Sequence, residues 1–437
     1  MITTVEAIAK QARDAALKLA NASAESRNKA LSQIAKELDE NKPEIITHNK
    51  RDVKPAERYG MSKVLIKRLM FDESKIDESI RGIHAVIKLD DPIGKTLHCI
   101  EMDTNLDLYK VTCPLGVIGA IFESRPDALI QIASLCLKSG NAVILKGGSE
   151  STNTNRILIK IIENALGNMK EIPCNTIQLV ETREDVKEIL KLHDHIDLLI
   201  PRGSGALIKH IQENTRIPVL GHAQGICHGY VDSEADIEIA INICYDAKVQ
   251  YPAVCNAMET LLVHKDIARE FLPLMMRKYE DANVELRGDT ETRKILPNIS
   301  NASEEEWPTE YNDLILSIKI VNSVQDAIAH INTYGSHHTD MIITSNDITA
   351  RVFLDAVDSA VVLQNASTRF SDGYRFGLGS EVGISTNKIH ARGPVGLEGL
   401  TIYKYIVIGK GQIVTTYTGK NAKQFSHINL EKVWKSS

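Results

Sequence analysis

The 437-residue chain has no CxxC pair, no Cys/His spacing of the zinc-finger kind, no P-loop and no GxGxxG fingerprint. Its seven cysteines (Cys99, Cys113, Cys136, Cys174, Cys227, Cys244, Cys255) are odd in number and widely spread, which fits reduced thiols better than a disulfide framework. No apolar run is long enough to span a bilayer. No internal repeat and no low-complexity tract occurs. A net charge of −6 gives no electrostatic case for nucleic acid or an anionic membrane surface. The first ten residues lack a secretory h-region and an Arg-rich transit pattern, so a cytoplasmic protein is expected. The pairs His193/His195 and His337/His338 are spaced i,i+2 and i,i+1, which share no helix face. Structural or substrate-side roles are expected for them, and no metal site.

What is present is ordinary for a soluble globular chain: 43% hydrophobic and 25% charged residues. The length implies two or three lobes. The first ninety residues read as helices, with Ser23 able to cap one whose Leu31, Ile34, Ala35 and Leu38 share a face. Asp91-Pro-Ile-Gly94 breaks that pattern. Alternation on both sides of Asp103-Thr-Asn105, over 97–112, predicts a β-hairpin. Residues 403–417 read as strand about a Gly-Lys-Gly turn. These two outlying segments could form one small sheet or pair with another subunit.

From Gly116 onward strands alternate with helices. Apolar runs at 117–122, 142–146, 176–180, 196–200 and 217–220 argue for a parallel sheet in a doubly wound α/β domain. A second alternating region covers about 259–400, with strands at 260–263, 341–344 and 360–363. The last twenty residues are polar and read as a surface tail.

The chemistry concentrates in a few segments. In Tyr251-Pro-Ala-Val-Cys-Asn-Ala-Met-Glu-Thr-Leu-Leu-Val263, Cys255 follows a proline turn and precedes a segment that can start as helix and continue as strand. A thiol at a helix N-terminus favours the thiolate, a candidate nucleophile for an acyl group. The other reading is a buried structural cysteine. Lys146-Gly-Gly-Ser-Glu150 ends a strand, where Gly147 and Gly148 allow close backbone approach and Lys146 can meet a ribose hydroxyl or a phosphate. Pro201-Arg-Gly-Ser-Gly205 is a second strand-end turn, leading into a helix whose amides could hold a pyrophosphate. A plain turn is the alternative.

Taken together with Ile121-Phe-Glu-Ser-Arg-Pro126, Gly221-His-Ala-Gln-Gly-Ile-Cys227, Asn365-Ala-Ser-Thr-Arg-Phe-Ser-Asp-Gly-Tyr-Arg-Phe-Gly377, Glu381-Val-Gly-Ile-Ser-Thr386 and His390-Ala-Arg-Gly-Pro-Val-Gly-Leu-Glu-Gly399, these segments resemble the γ-glutamyl phosphate reductase (glutamate-5-semialdehyde dehydrogenase) family of the aldehyde dehydrogenase superfamily. The resemblance runs in order along nearly the whole chain. It implies a nucleotide-binding domain (1–96 and 113–225), an α/β catalytic domain (226–401), a small β oligomerisation sheet (97–112 and 402–418) and a tail (419–437). The implied reaction is NADPH-dependent reduction of L-glutamyl 5-phosphate to L-glutamate 5-semialdehyde and phosphate, the second step of proline biosynthesis.

On that resemblance Cys255 is the nucleophile that forms a thioester. Ser124 stands where aldehyde-oxidising relatives carry an oxyanion-holding Asn, with Asn256 as a substitute donor or a local cap. His222 aligns with the general-base Glu of hydrolytic relatives, for proton transfer, phosphate binding or packing. Lys146, Gly147, Gly148, Ser149, Gly203 and Ser204 are cofactor-side positions. Ser149 departs from the basic residue common there. Glu310 is placed on the nicotinamide ribose or in an exposed loop. Arg125 and Arg369 are the preferred ligands of the substrate's anions, and His338 lines the site or serves structure. NADPH is favoured over NADH, and a homo-oligomer (dimer or tetramer) and association with a glutamate kinase are the partner expectations. Two other readings stand beside this one: another acylating or hydrolytic aldehyde dehydrogenase, and a catalytically silent scaffold of the same fold.

Overall fold

A computed structural model describes residues 4–434. Five helices open the chain, Val5–Leu19, Ala24–Glu40, Lys42–Arg58, Lys63–Leu69 and Glu73–Lys88. The Ser23 hydroxyl accepts from the Ser26 amide and caps the second of them, satisfying a donor that a helix start leaves unpaired. Its buried face carries Leu31, Ile34, Ala35 and Leu38. That face shares one apolar core with the helices Pro126–Lys138 and Thr152–Leu166.

The hairpin around 103–105 forms as β1 (Thr96–Asp103) and β2 (Leu106–Pro114). Asn105 takes the left-handed turn position at φ 61°, which asparagine tolerates. Next come β3 (Val117–Phe122), β4 (Ala142–Lys146), β5 (Ile177–Val180) and β6 (Leu198–Arg202), all parallel in the order β5-β4-β3-β6. Every residue of β3 and β4 is buried. Burial on both faces is why they read as continuous apolar runs without alternation. The chain steps outward from β3 to β5, then returns to the far side of β3 as β6. Strand order therefore reverses between β3 and β6, and a crevice opens outside their carboxyl ends. The strand expected at 217–220 reduces to a single bridge, Leu199 to Val219, since Pro218 has no amide proton to extend a ladder.

The second sheet holds β7 (Cys227–Val231), β8 (Met258–His264), β9 (Glu285–Gly288), β10 (Ser300–Asn301), β11 (Ile315–Val321), β12 (Thr339–Ile343) and β13 (Val361–Gln364). Its order is β10-β9-β11-β8-β7-β12-β13 and every neighbouring pair is parallel. Helices such as Ile237–Val249 and Lys265–Asp281 bury its apolar face. A short ladder of β14 (Ile384–Ser385) with β15 (Gly393–Pro394) follows.

The small sheet has the order β16-β2-β1-β17, with β16 (Thr401–Ile408) antiparallel to β2. Two expectations change here. Beyond the 409–411 turn the chain does not return as strand; Val414–Tyr417 is a 3-10 turn. The stretch read as a surface tail instead sends β17 (Ile428–Asn429) back onto β1. Lys423 anchors that return by pairing with Asp103. Among the described residues no helix is long and apolar enough to cross a membrane.

Candidate active site

The carboxyl ends of β3, β4 and β6 and the amino end of β8 open onto one cleft of about 2000 Å³. The crevice of the first sheet and the cysteine turn of the second are thus walls of the same space. Cys255, Asn256, His222, Ser124, Lys146, Ser149, Gly203, Ser204, Glu310, Arg125 and Arg369 all line it.

Cys255 does not begin a helix. Residues 251–257 are turns that run straight into β8, with the Ala257 amide bonded to the Val254 carbonyl at 2.9 Å. The thiol therefore has no helix start of its own. Two cationic side chains, Arg202 and Arg369, are close enough to interact electrostatically with Cys255. Arg202 donates to the Val382 carbonyl at 2.8 Å, and Arg369 to Gln250 at 2.9 Å. Burial pulls both guanidinium groups below the ordinary arginine value. Among the described residues neither the Cys255 nor the Asn256 amide is bonded to a protein acceptor, which leaves two N–H groups beside the sulfur to hold an oxyanion.

The turn is fixed from below. Cys227 donates its thiol to the Cys255 carbonyl at 3.2 Å, and burial raises the Cys227 thiol well above its usual value, so it stays protonated. A Cβ on Gly225 would stand 2.1 Å from the Cys255 carbonyl oxygen and 2.4 Å from its Cα. Only glycine permits this backbone contact. Behind the turn, Lys248 and Glu259 form a fully buried pair at 2.6 Å. Glu259 also accepts from the Asn312 amide, tethering the loop that carries Glu310. Burial pushes the Glu259 carboxyl up to about 7.

His222 gives its Nδ1–H to the Ile384 carbonyl at 2.8 Å. A carbonyl can only accept, so this bond fixes the tautomer and leaves Nε2 with a bare lone pair. Burial lowers the His222 pKa and keeps the ring neutral. His338 does not line the cleft. It is wholly buried and packs edge-on against His222 at 4.7 Å between ring centres.

Several of the expected site residues are also engaged within the protein. The Ser124 amide and hydroxyl both bond Glu150 Oε1, at 2.6 and 2.7 Å, with Ser124 at φ 45°. Its hydroxyl is therefore committed to a carboxylate. Asn256 spends its amide on the Ser371 carbonyl at 2.8 Å. The Ser204 amide is held by Glu123 at 2.9 Å, and its hydroxyl caps the helix Gly205–Asn214. Gly147 is turned from the cleft, and its missing side chain makes room for Asn155.

Lys146 is buried at the end of β4, and no protein hydrogen bond satisfies its ammonium among the described residues. Burial lowers its pKa, with Glu150 opposing and Arg183 adding to the shift. Arg183 and Lys187 line the cleft beside it. An unpaired buried cation in a crevice at a sheet switch point fits a dinucleotide's ribose and phosphate. Arg202, Arg183 and Gly225 join the site without a sequence signal of their own. Arg202 and Gly225 lie inside the Pro201–Gly205 and Gly221–Cys227 segments, but nothing in the local pattern says which neighbour each would meet.

Residues 2–313 match the model of the aldehyde dehydrogenase family. The chain belongs to that family, whose members use nicotinamide cofactors. Along its full length it is similar to γ-glutamyl phosphate reductases. It is 53% identical over 440 residues to the one from Methanococcoides burtonii, covering 99% of this chain and 98% of that one. It is 55% identical over 429 residues to the one from Acetivibrio thermocellus, covering 98% and 99%. The crystal structure of γ-glutamyl phosphate reductase from Thermotoga maritima superposes with a TM-score of 0.92 at 42% identity, over 94% of this chain and 99% of that one.

Proposed function

We propose that the protein reduces L-glutamyl 5-phosphate with NADPH to L-glutamate 5-semialdehyde and inorganic phosphate, the second step of proline synthesis. The observation that carries this reading is the setting of Cys255: a partly exposed thiol near two guanidinium groups that desolvation depresses, beside a neutral imidazole, with free amides at the sulfur. The Cys255 thiol passes its proton to His222 Nε2 as the sulfur attacks the acyl carbon. The C–O bond to phosphate breaks, phosphate leaves towards Arg202 and Arg369, and a thioester remains on Cys255. The amides of Cys255 and Asn256 hold the oxyanion during attack. A bound nicotinamide supplies the hydride that takes the acyl group to the aldehyde level. Collapse of the resulting thiohemiacetal frees the aldehyde and returns the thiolate, which recovers its proton from His222. No carboxylate base stands at position 222, so water is not activated against the thioester and phosphate is the acyl acceptor in reverse. The test is to trap the intermediate. Enzyme given semialdehyde and NADP⁺ without phosphate should carry an acyl adduct on the Cys255 peptide by mass spectrometry, discharged on adding phosphate. An adduct on another residue, or one lost to water as fast as to phosphate, refutes the reading.

Lys146, Ser149 and Arg183 would hold the adenosine ribose and its 2′-phosphate. Arg183 supplies the cation that Ser149 does not. Arg183→Ala is expected to raise KM for NADPH by about tenfold, the loss of one charge-assisted contact, while KM for NADH changes little. Steady-state kinetics with both nucleotides checks this. Self-association through the small sheet is supported by β16, an edge strand exposing Ile402, Tyr403, Tyr405, Val407 and Ile408, since an unpaired apolar edge invites pairing.

A further inference from the structure

Cys255 Sγ and one ring nitrogen each of His222 and His338 lie within 4.8 Å of one another. No spacing in the sequence signals this grouping, because the three residues come from three separate segments. His338 adds a second observation. Its ring is wholly buried, its Nδ1 meets Thr339 Oγ1 at 2.8 Å, and its Nε2 has no partner. His222 is held in the same sense, with Nδ1 on the Ile384 carbonyl. Both imidazoles are thus oriented by an oxygen at Nδ1 and bare at Nε2, the arrangement that metal-ligating histidines adopt.

We propose that His222, His338 and Cys255 form a binding site for one soft divalent cation of the zinc class, and that the bound cation withdraws Cys255 from catalysis. On binding, the thiol loses its proton to solvent and a metal–sulfur bond forms. Tetrahedral zinc with these ligands places the donor atoms about 3.4–3.6 Å apart. Donor atoms already within 4.8 Å of one another reach that spacing by closing at most about 1.4 Å, through side-chain adjustment of Cys255 and His222, both only partly buried. Three protein ligands leave a fourth position facing the cleft, open to water or a chelator, so inhibition is reversible. The surrounding charge is mixed. Glu310 and Glu381 face His222, while Arg202 and Arg369 face the thiol. The thiolate supplies the negative charge that holds a dication there.

The test uses the full-length reduced protein in a Cys174→Ser background, which removes the exposed cysteine, with Co²⁺ as a spectroscopic stand-in for Zn²⁺. One Co²⁺ per chain is expected, with a thiolate-to-cobalt charge-transfer band and tetrahedral d–d absorption, both displaced by Zn²⁺. Zn²⁺ should abolish turnover and EDTA restore it. The charge-transfer band should vanish in Cys255→Ser. Because His338 is wholly buried, His222→Gln serves as the second ligand variant, and its Co²⁺ affinity should fall about tenfold or more. A wild-type protein without the band, a band that persists in Cys255→Ser, or unchanged affinity in His222→Gln overturns the proposal. The absorption readout is independent of which acyl group the enzyme takes, so it can fail while the reaction assignment stands.

Discussion

Cys255→Ser is expected to lower turnover by about 10⁴-fold or more, the scale on which loss of an enzyme nucleophile acts, while NADPH binding persists. The two effects separate because the groups that would hold the nucleotide belong to the other sheet: Lys146 ends β4 and Arg183 follows β5. A merely structural cysteine would behave differently. Cys136 and Cys244 show that case, being fully buried with thiols pushed far up by burial. Serine at 255 changes one atom in a partly exposed side chain, so a folding defect is not the expected outcome. Thermal unfolding and nucleotide-quench titrations check that the variant is intact. A variant retaining a tenth or more of wild-type turnover contradicts covalent catalysis by this residue.

Gly225→Ala is expected to cost about 10²-fold in kcat, the scale for shifting a reacting group by an ångström. The added methyl would overlap backbone of the nucleophile turn, the Cys255 carbonyl at 2.1 Å and Cα at 2.4 Å. Backbone cannot rotate out of the way as a side chain can, so the Cys255 turn must move relative to Arg202 and Arg369. NADPH affinity should stay within about threefold of wild type, since Gly225 lies outside the Lys146 crevice. The comparison variant is Gly60→Ala, an exposed left-handed turn with nothing near its Cβ, which should leave kcat unchanged. Equal kcat for Gly225→Ala and wild type would show that the turn tolerates displacement.

The runs at 117–122 and 142–146 were legible as strands because parallel strands buried on both faces carry no polar alternation. β7, Cys-His-Gly-Tyr-Val, was not. His228 interrupts its apolar character, and its amide and ring both meet Asp340, at 2.7 and 3.1 Å, a compensation that only the fold supplies. The Cys255 segment was legible as chemistry but misread as a helix start, since proline and glycine-poor turns resemble N-caps until the following strand pulls the chain straight. β17 was illegible for a different reason: two residues gain strand geometry only from their partner β1. At the site, the residues singled out by motif resemblance share one cleft, His338 and Gly147 excepted. That resemblance could not see that Ser124 and Ser204 are already engaged by Glu150 and Glu123. Nor could it see that Arg202 reaches the nucleophile from the other sheet.

The most direct test of the proposed reaction is the reduction of NADP⁺ by purified protein with glutamate 5-semialdehyde, measured with and without inorganic phosphate. The account predicts turnover that requires phosphate and saturates with it. It also predicts that Arg202→Gln and Arg369→Gln raise the phosphate concentration needed for half-maximal rate. Equal turnover without phosphate would contradict it and assign the thioester's discharge to water.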